Sequence, residues 1–476
     1  MYSTSQYEIL LYLILINCSL ALTFNYDTEH AIIFKPHVSH NDVHHDTDYQ
    51  AFGSSVAMIK LNKTTRIIVG APKGKSRLIK THQTGLAYSC KINQDGMTTS
   101  CKEIRLSTRY LGKSFKTKHL FTSGMNLGLN IAVGGSNNLL TICGHLHNLA
   151  NQPSGICFLV SPVNMDIIKV LLPKSKKLSG SNQQKLMGKA VHEMFGFSSA
   201  FTRTSNQLIF GAPGYDIFRG AIYTASNINK MSPTANISIN TINEIDQDSY
   251  FGYSVTTGIF FKSQSELAVV GAPRSHELIG QVYIVEINQN DLNGNVIQII
   301  EGHQFGEYFG CSMLSIDLNN NGYDDLLVGA PLYMPEHNPK GDCGRVYIYS
   351  SNGVHLVQSA IIDGDSIFGS RFGSSLAYIG DLDGDSFNDI AVGAPQENEG
   401  SGSVYIYSAR LIKTSKKYLQ KIDSSKSFDL LGFGSSIYSG IDVDNDNCPD
   451  LLVGSYMSDA AVLLKCRRNQ KLIHTT

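Results

Sequence analysis

Apolar residues along this chain fall into short runs that recur in a fixed order. A Phe-Gly or Leu-Gly pair opens each unit, at Phe52, Leu111, Phe195, Phe251, Phe309, Phe372 and Phe433. About seventeen to twenty residues later an apolar run ends in Gly, with a unit period of about sixty residues. These second runs are IIVGAP ending at Pro72, IAVGGS at Ser136, LIFGAP at Pro213, AVVGAP at Pro273, LLVGAP at Pro331, IAVGAP at Pro395 and LLVGS at Ser455. A variable loop follows, then a run that alternates apolar and polar: GLAYSCKI, GICFLV, GAIYTA, GQVYIVEI, GRVYIYS, GSVYIYS and AAVLLKC. Period-two runs of this length are strands. Three clear strands and a weaker fourth, seven times over, predict an all-β fold, a seven-bladed β-propeller. The alternating segment FNYDTEHAIIF, 24–34, precedes the first unit and is placed as the outer strand of the last blade, closing the ring.

Between the first and second runs of the last three units lies an acidic loop. In the fifth it offers Asp317, Asn319, Asn321 and Asp325 at positions 1, 3, 5 and 9, with the Tyr323 carbonyl at position 7 and Gly322 for the turn. The sixth repeats it as Asp381, Asp383, Asp385 and Asp389 with Phe387 and Gly384, the seventh as Asp442, Asp444, Asp446 and Asp450 with Cys448. Hard oxygen ligands at alternate positions suit calcium, so about three ions are expected. The flanks are too short and too β-like for an EF-hand, so each loop is read as a calcium-binding hairpin that surrounds a structural ion. The fourth unit has TTGIFFKSQSELAVVGAP in this place, without carboxylates at the ligand positions.

Composition narrows the class. Of 476 residues, 43 are Gly, 13 Pro and none Trp, which suits a turn-rich β protein, and a net charge of −1 argues against nucleic acid. The apolar run ILLYLILINCSLAL has the length of a signal-peptide core and is too short to span a membrane. The chain is therefore divided into a signal peptide (1–23), the propeller (24–466) and a C-terminal tail (467–476), with no membrane span. Cysteine usage fits an oxidising compartment: Cys90 with Cys101 and Cys143 with Cys157 are spaced to staple hairpins, while Cys311, Cys343, Cys448 and Cys466 have no evident partners. Asn62 and Asn236 head glycosylation triplets. The cluster His30, His37, His40, His44 and His45 with Asp42, Asp46 and Asp48 reads as a polar loop, as does KSKK at 174–177, and 93–96 reads as a hairpin turn. No nucleophile motif, phosphate loop or catalytic acid pair stands out.

These units resemble the FG-GAP repeats of integrin α subunits, from FNYDTEH to VGSYMSDAAVLLKC. The resemblance implies a receptor head, not an enzyme, that pairs with an integrin β subunit and shares an extracellular-matrix ligand with it across their junction. It implies a cell-surface location, or secretion if the chain is complete. The interval from Leu111 to Phe195 is too short for the A-type domain that some α subunits insert there. Where Arg-Gly-Asp readers of the family carry paired aspartates, this chain has Gln247-Asp248-Ser249-Tyr250. With the missing fourth calcium loop and the GLAYSC…SCKEI stretch, that looks more like the laminin-binding subclass. No residue is assigned to ligand contact. Phospholipase-like enzymes with similar repeats add a catalytic domain for which no residues remain; a lectin-like soluble propeller is the alternative.

Overall fold

The computed structural model describes residues 24–36, 49–61, 64–76, 83–92, 99–106, 121–134, 138–149, 152–173, 192–203, 207–228, 236–242, 245–262, 265–287, 295–336, 341–365 and 367–468. Seven four-stranded antiparallel sheets follow one another, with a two-residue hairpin, Asn148–Leu149 with Gln152–Pro153, added in the second. Blade five is typical: Ser312–Ile316, Asp325–Ala330, Arg345–Ser351 and Leu356–Asp363 pair in order. The fourth strand is as definite as the others in every blade. The last blade takes Phe433–Ile441, Asp450–Ser455 and Ala460–Arg468 from the C-terminal part and Phe24–Phe34 from the N-terminal part, with Tyr26 paired to Cys466 and Ile33 to Val462. The ring is closed by the strand expected to close it.

The two glycines of each repeat have separate reasons. In blade five the Phe-Gly glycine, Gly310, has φ +88° and donates its N–H to the carbonyl of Gly329, the glycine of the blade's own Gly-Ala-Pro. Its carbonyl accepts a hydrogen bond from Ser254 of the preceding blade at 2.6 Å. A Cβ on Gly329 would collide with the Gly373 carbonyl of the next blade, so the second glycine is fixed by blade-to-blade approach. The serine-to-glycine bond recurs at Ser55–Gly128, Ser198–Gly252, Ser312–Gly373 and Ser375–Gly434, and across the closure at Ser436–Gly53. At the junction of blades two and three, Asn130 takes the serine's place and accepts from Ser199 at 2.9 Å.

The Phe-Gly phenylalanines fill the wedges between blades and are at most 1% exposed. Each of Phe52, Phe195, Phe251, Phe309 and Phe372 stands edge-on to a tyrosine of its own blade's third strand, at centroid separations of 5.2–5.4 Å. Those tyrosine hydroxyls donate to a side-chain acceptor, half-buried in the first case and buried in the rest: Tyr88 to Gln50, Tyr223 to Glu193, Tyr283 to Gln281, Tyr347 to Glu307 and Tyr405 to Glu397. A buried phenol without an acceptor would cost the fold about 1–3 kcal/mol, which explains the recurrent partner.

The second repeat is framed differently from the sequence expectation. Leu111 lies outside the described residues; Leu127-Gly128 does the work, with Leu127 bridged to Gly85 as Phe251 is to Gly220. The run IAVGG is consequently the first strand of its blade, Asn130–Gly134, and Leu139–Gly144 is the second. Disulfides join Cys90 to Cys101, Cys143 to Cys157 and Cys448 to Cys466, whereas Cys311 and Cys343 are free. No helix among the described residues is long and apolar enough to cross a membrane.

Candidate metal centre

Strand direction sorts the loops. First strands run from the Phe-Gly pair toward the acidic loops and second strands run back, so all three acidic loops sit on one face and the Gly-Ala-Pro ends on the other. We call these the lower and upper faces. Each acidic loop is wound by its first aspartate: Asp381 accepts from the N–H groups of Gly384, Asp385 and Ser386 at 2.8, 3.0 and 2.9 Å. Asp317 does so from Asn319, Asn321 and Gly322, and Asp442 from Asn445, Asp446 and Asn447. This winding requires two left-handed residues per loop, at positions 4 and 6: Asn320 and Gly322, Gly384 and Ser386, Asn445 and Asn447. The sequence reading credited one glycine; Asn tolerates the same dihedrals through local side-chain hydrogen bonds.

Position 9 opens the second strand. Asp325, Asp389 and Asp450 are fully buried. Each accepts from the N–H at position 2 of its own loop and from an N–H at or just past the end of the blade's third strand, Ser351 for Asp325, Ala409 for Asp389, and for Asp450 Val443 at 2.7 Å and Cys466 at 2.9 Å. Burial first, and then neighbouring carboxylates, push Asp389 and Asp450 up to about 7 and Asp325 to about 6. A carboxyl so placed needs a proton or a cation. Carboxylate oxygens of Asp381, Asp383 and Asp385 lie within 4.8 Å of one another, as do those of Asp442, Asp444 and Asp450. Oxygens bound to one calcium ion at about 2.3–2.6 Å lie at most about 5 Å apart, so carboxylates this close could share one. The all-oxygen donor set and this spacing fit a hard divalent cation. In the fifth loop the Asn319 amide donates to Asp325 at 2.9 Å and its oxygen accepts from Asn321 N–H, so the site holds two fewer charges than its neighbours.

The FG-GAP repeat family model matches residues 309–349 and 372–407, the first three strands of blades five and six with their acidic loops. Integrin alpha-8 of Gallus gallus is 30% identical over 488 residues, 94% of this chain and 43% of that protein. Integrin alpha-4 of Xenopus laevis is 28% identical over 87% of the chain and 40% of its own length, and integrin alpha-PS2 of Drosophila melanogaster is 29% identical over 87% and 32%. This chain is an FG-GAP propeller head homologous to integrin α subunits. It spans about two fifths of the length of the curated relatives it matches.

In this FG-GAP propeller the fourth blade replaces the acidic loop with a buried apolar plug. Phe260 is fully buried and its carbonyl accepts from Ser351. Asp324, at position 8 of the fifth loop, accepts from Ile259 N–H and pairs with Arg203 of blade three, each at 2.7 Å. Position 8 reaches backward in the other loops as well: Asn388 to the Asp317 carbonyl, and Pro449 against Gly380. Asp248 lies on the opposite face, exposed at φ +62°. Asn236 opens the outer strand of blade three, whereas Asn62, the clustered histidines beyond His30, the KSKK run and residues 93–96 fall outside the described residues. Of that cluster, His30 contacts Asp27 at 2.9 Å.

Proposed function

We propose that the chain is the head of a cell-adhesion receptor subunit, which pairs through its upper face with an integrin β subunit and is stiffened on its lower face by about three structural calcium ions. The ligands would be Asp317, Asn319, Asn321 and Asp325 with the Tyr323 carbonyl; Asp381, Asp383, Asp385 and Asp389 with Phe387; and Asp442, Asp444, Asp446 and Asp450 with Cys448. Calcium there would neutralise the clustered carboxylates and fix the loops; catalysis is not part of the reading. Three disulfides support an oxidising, extracellular location.

One observation carries the partnership. Large apolar side chains stand free at the upper loops, with Phe305 72%, Phe368 63% and Ile217 60% exposed, and Leu431 and Met457 near them in kind. Ile217 sits at φ 56°, ψ 55° in a turn that recurs with left-handed dihedrals at Glu277 and Glu399, so the blade turn sets its backbone while the apolar side chain in that place is its own. Phe195, Phe251 and Phe309 are buried wedge fillers and add nothing to this patch. Tyr250 is partly exposed and carries Arg274 over its ring at 4.8 Å. Aromatic and long apolar side chains without cover are what protein interfaces concentrate. A matrix ligand of the laminin kind fits Gln247 standing where paired aspartates would grip arginine. Co-expression with an integrin β head followed by pull-down tests the pairing: a stable heterodimer, lost on Phe305→Asp with Phe368→Asp, is expected. A chain that stays monomeric and binds glycans alone would replace this reading with the lectin.

A further inference from the structure

We infer that the cation sites of blades five and six are coupled, and that Asn320 and Asn388 are the positioning residues that couple them. The inference rests on reading the loops as cation sites. The two side-chain amides cross the blade junction in opposite directions. Asn388, between Phe387 and the ligand Asp389, donates to the main-chain carbonyl of Asp317, the first ligand residue of the other loop, at 2.8 Å. Asn320, between ligands Asn319 and Asn321, donates to the carbonyl of Ser386 at 2.5 Å. Ser386 is one of the two left-handed residues of its loop, and the peptide it begins carries the Phe387 N–H that binds Asp385 at 2.9 Å.

Each amide therefore holds the partner loop at a point that must be in place before its ligands converge. A cation that orders the sixth loop fixes Asn388 and Ser386, and with them the Asp317 peptide and Asn320. The fifth loop then loses less conformational freedom when its own ion arrives, which is positive coupling without any shared ligand. The asymmetry of charge gives the coupling a direction. The sixth loop presents four carboxylates at its ligand positions and the fifth only two, so the sixth fills first and prepares the fifth.

Terbium, a hard ion that takes oxygen ligands as calcium does, reads the fifth site directly. Tyr323 sits at its position 7, where the other loops have Phe387 and Cys448, so the part of the sensitised emission that Tyr323→Phe abolishes belongs to that site. The full chain is titrated with terbium as it stands, with the sixth site disabled by Asp383→Asn (or Asp385→Asn should the first variant secrete poorly), and with both changes repeated in an Asn320→Ala/Asn388→Ala background. Disabling the sixth site should weaken Tyr323-dependent binding about five- to tenfold in the native background and leave it unchanged in the doubly substituted one. Equal weakening in both backgrounds, or none in either, overturns the coupling while leaving the fifth loop a cation site. Absence of any Tyr323-dependent signal from the unsubstituted chain overturns the cation reading of that loop and the coupling with it.

Discussion

Glu193 offers a pH test of how the blades are filled. Its carboxylate is buried between blades, accepts from the Tyr223 hydroxyl at 3.1 Å and faces Tyr215 as well. Burial raises it from 4.5 to about 7, against the smaller opposing pull of the Tyr223 hydrogen bond. An acid raised in the fold favours the protonated, folded state. Its contribution to stability is complete below 4.5 and is lost as pH rises through about 7. Between pH 5 and pH 8 the shift amounts to a loss of about 2.5 kcal/mol, from 1.36 kcal/mol per unit and the partial ionisation of the unfolded chain at pH 5. Glu193→Gln keeps an acceptor for Tyr223 and removes the titration. Its amide hydrogens carry a cost of about 1–3 kcal/mol if unpaired, but that cost is the same at every pH and cancels. Urea unfolding of both proteins at pH 5, 6.5 and 8 in saturating calcium gives the comparison. The variant should gain about 2.5 kcal/mol on the native protein as pH rises across that range. Parallel stability curves would show that Glu193 is ionised in the fold at no cost, and would refute the argument from burial.

Chelation should lower the thermal midpoint relative to millimolar calcium, since each ion present at a hundred times its dissociation constant adds about 2.7 kcal/mol; an unchanged midpoint would sink the structural-calcium reading. Asp383→Ala should reduce secreted yield far more than Asp248→Asn, because the first leaves three carboxylates facing each other and the second alters an exposed upper turn; equal yields would count against that division of the faces. Cys448→Ser should destabilise the closing blade by about 2–4 kcal/mol, read by urea unfolding without reductant, and a smaller effect would mean that the pairing with Cys466 closes little that the sheet does not.

Much of this was legible because the repeat is dictated by contacts that recur. Phe-Gly and Gly-Ala-Pro mark a wedge filler and two close backbone approaches, and neither tolerates substitution at most junctions. The second blade escaped for the same reason. Its Leu127-Gly128 has no phenylalanine and its second strand ends in Cys143-Gly144 without Ala-Pro, so pattern matching fell on Leu111 and misplaced IAVGG by one strand. The acidic loops announced themselves through spacing, but their second left-handed position did not, since Asn320, Ser386 and Asn445 look like ordinary loop residues. The pairing of Cys448 with Cys466 was hidden because nothing local relates a loop residue to the strand beyond it; the sheet does, by bringing Cys466 N–H to Asp450. No sequence pattern marks the acceptors Glu193, Glu307 and Glu397, and only the packing shows that each answers a buried tyrosine.

Ring closure explains why so much is concentrated on the last blade. Tyr26 and Pro449, joined by a hydrogen bond of 3.3 Å, are 423 positions apart, and holding two such distant segments together costs about 5 kcal/mol in loop entropy alone. The N-terminal strand has to outweigh this with few residues. It is bound from several sides: the Tyr26 N–H donates to the side-chain oxygen of Gln420 of blade six and the Tyr26 carbonyl accepts from the same side-chain amide, its ring is buried among residues of blades six and seven, and it pairs with Cys466 in the sheet. Cys466 in turn is tied to Cys448 by the disulfide and to Asp450 by its N–H, both in the seventh acidic loop. A cation that orders this loop therefore also orders the strand to which the N-terminal segment is fastened. The disulfide does the same through a covalent route. Since every upper loop is carried on the closed ring, the exposed apolar side chains Ile217, Phe305 and Phe368 keep their relative placement only while this junction holds.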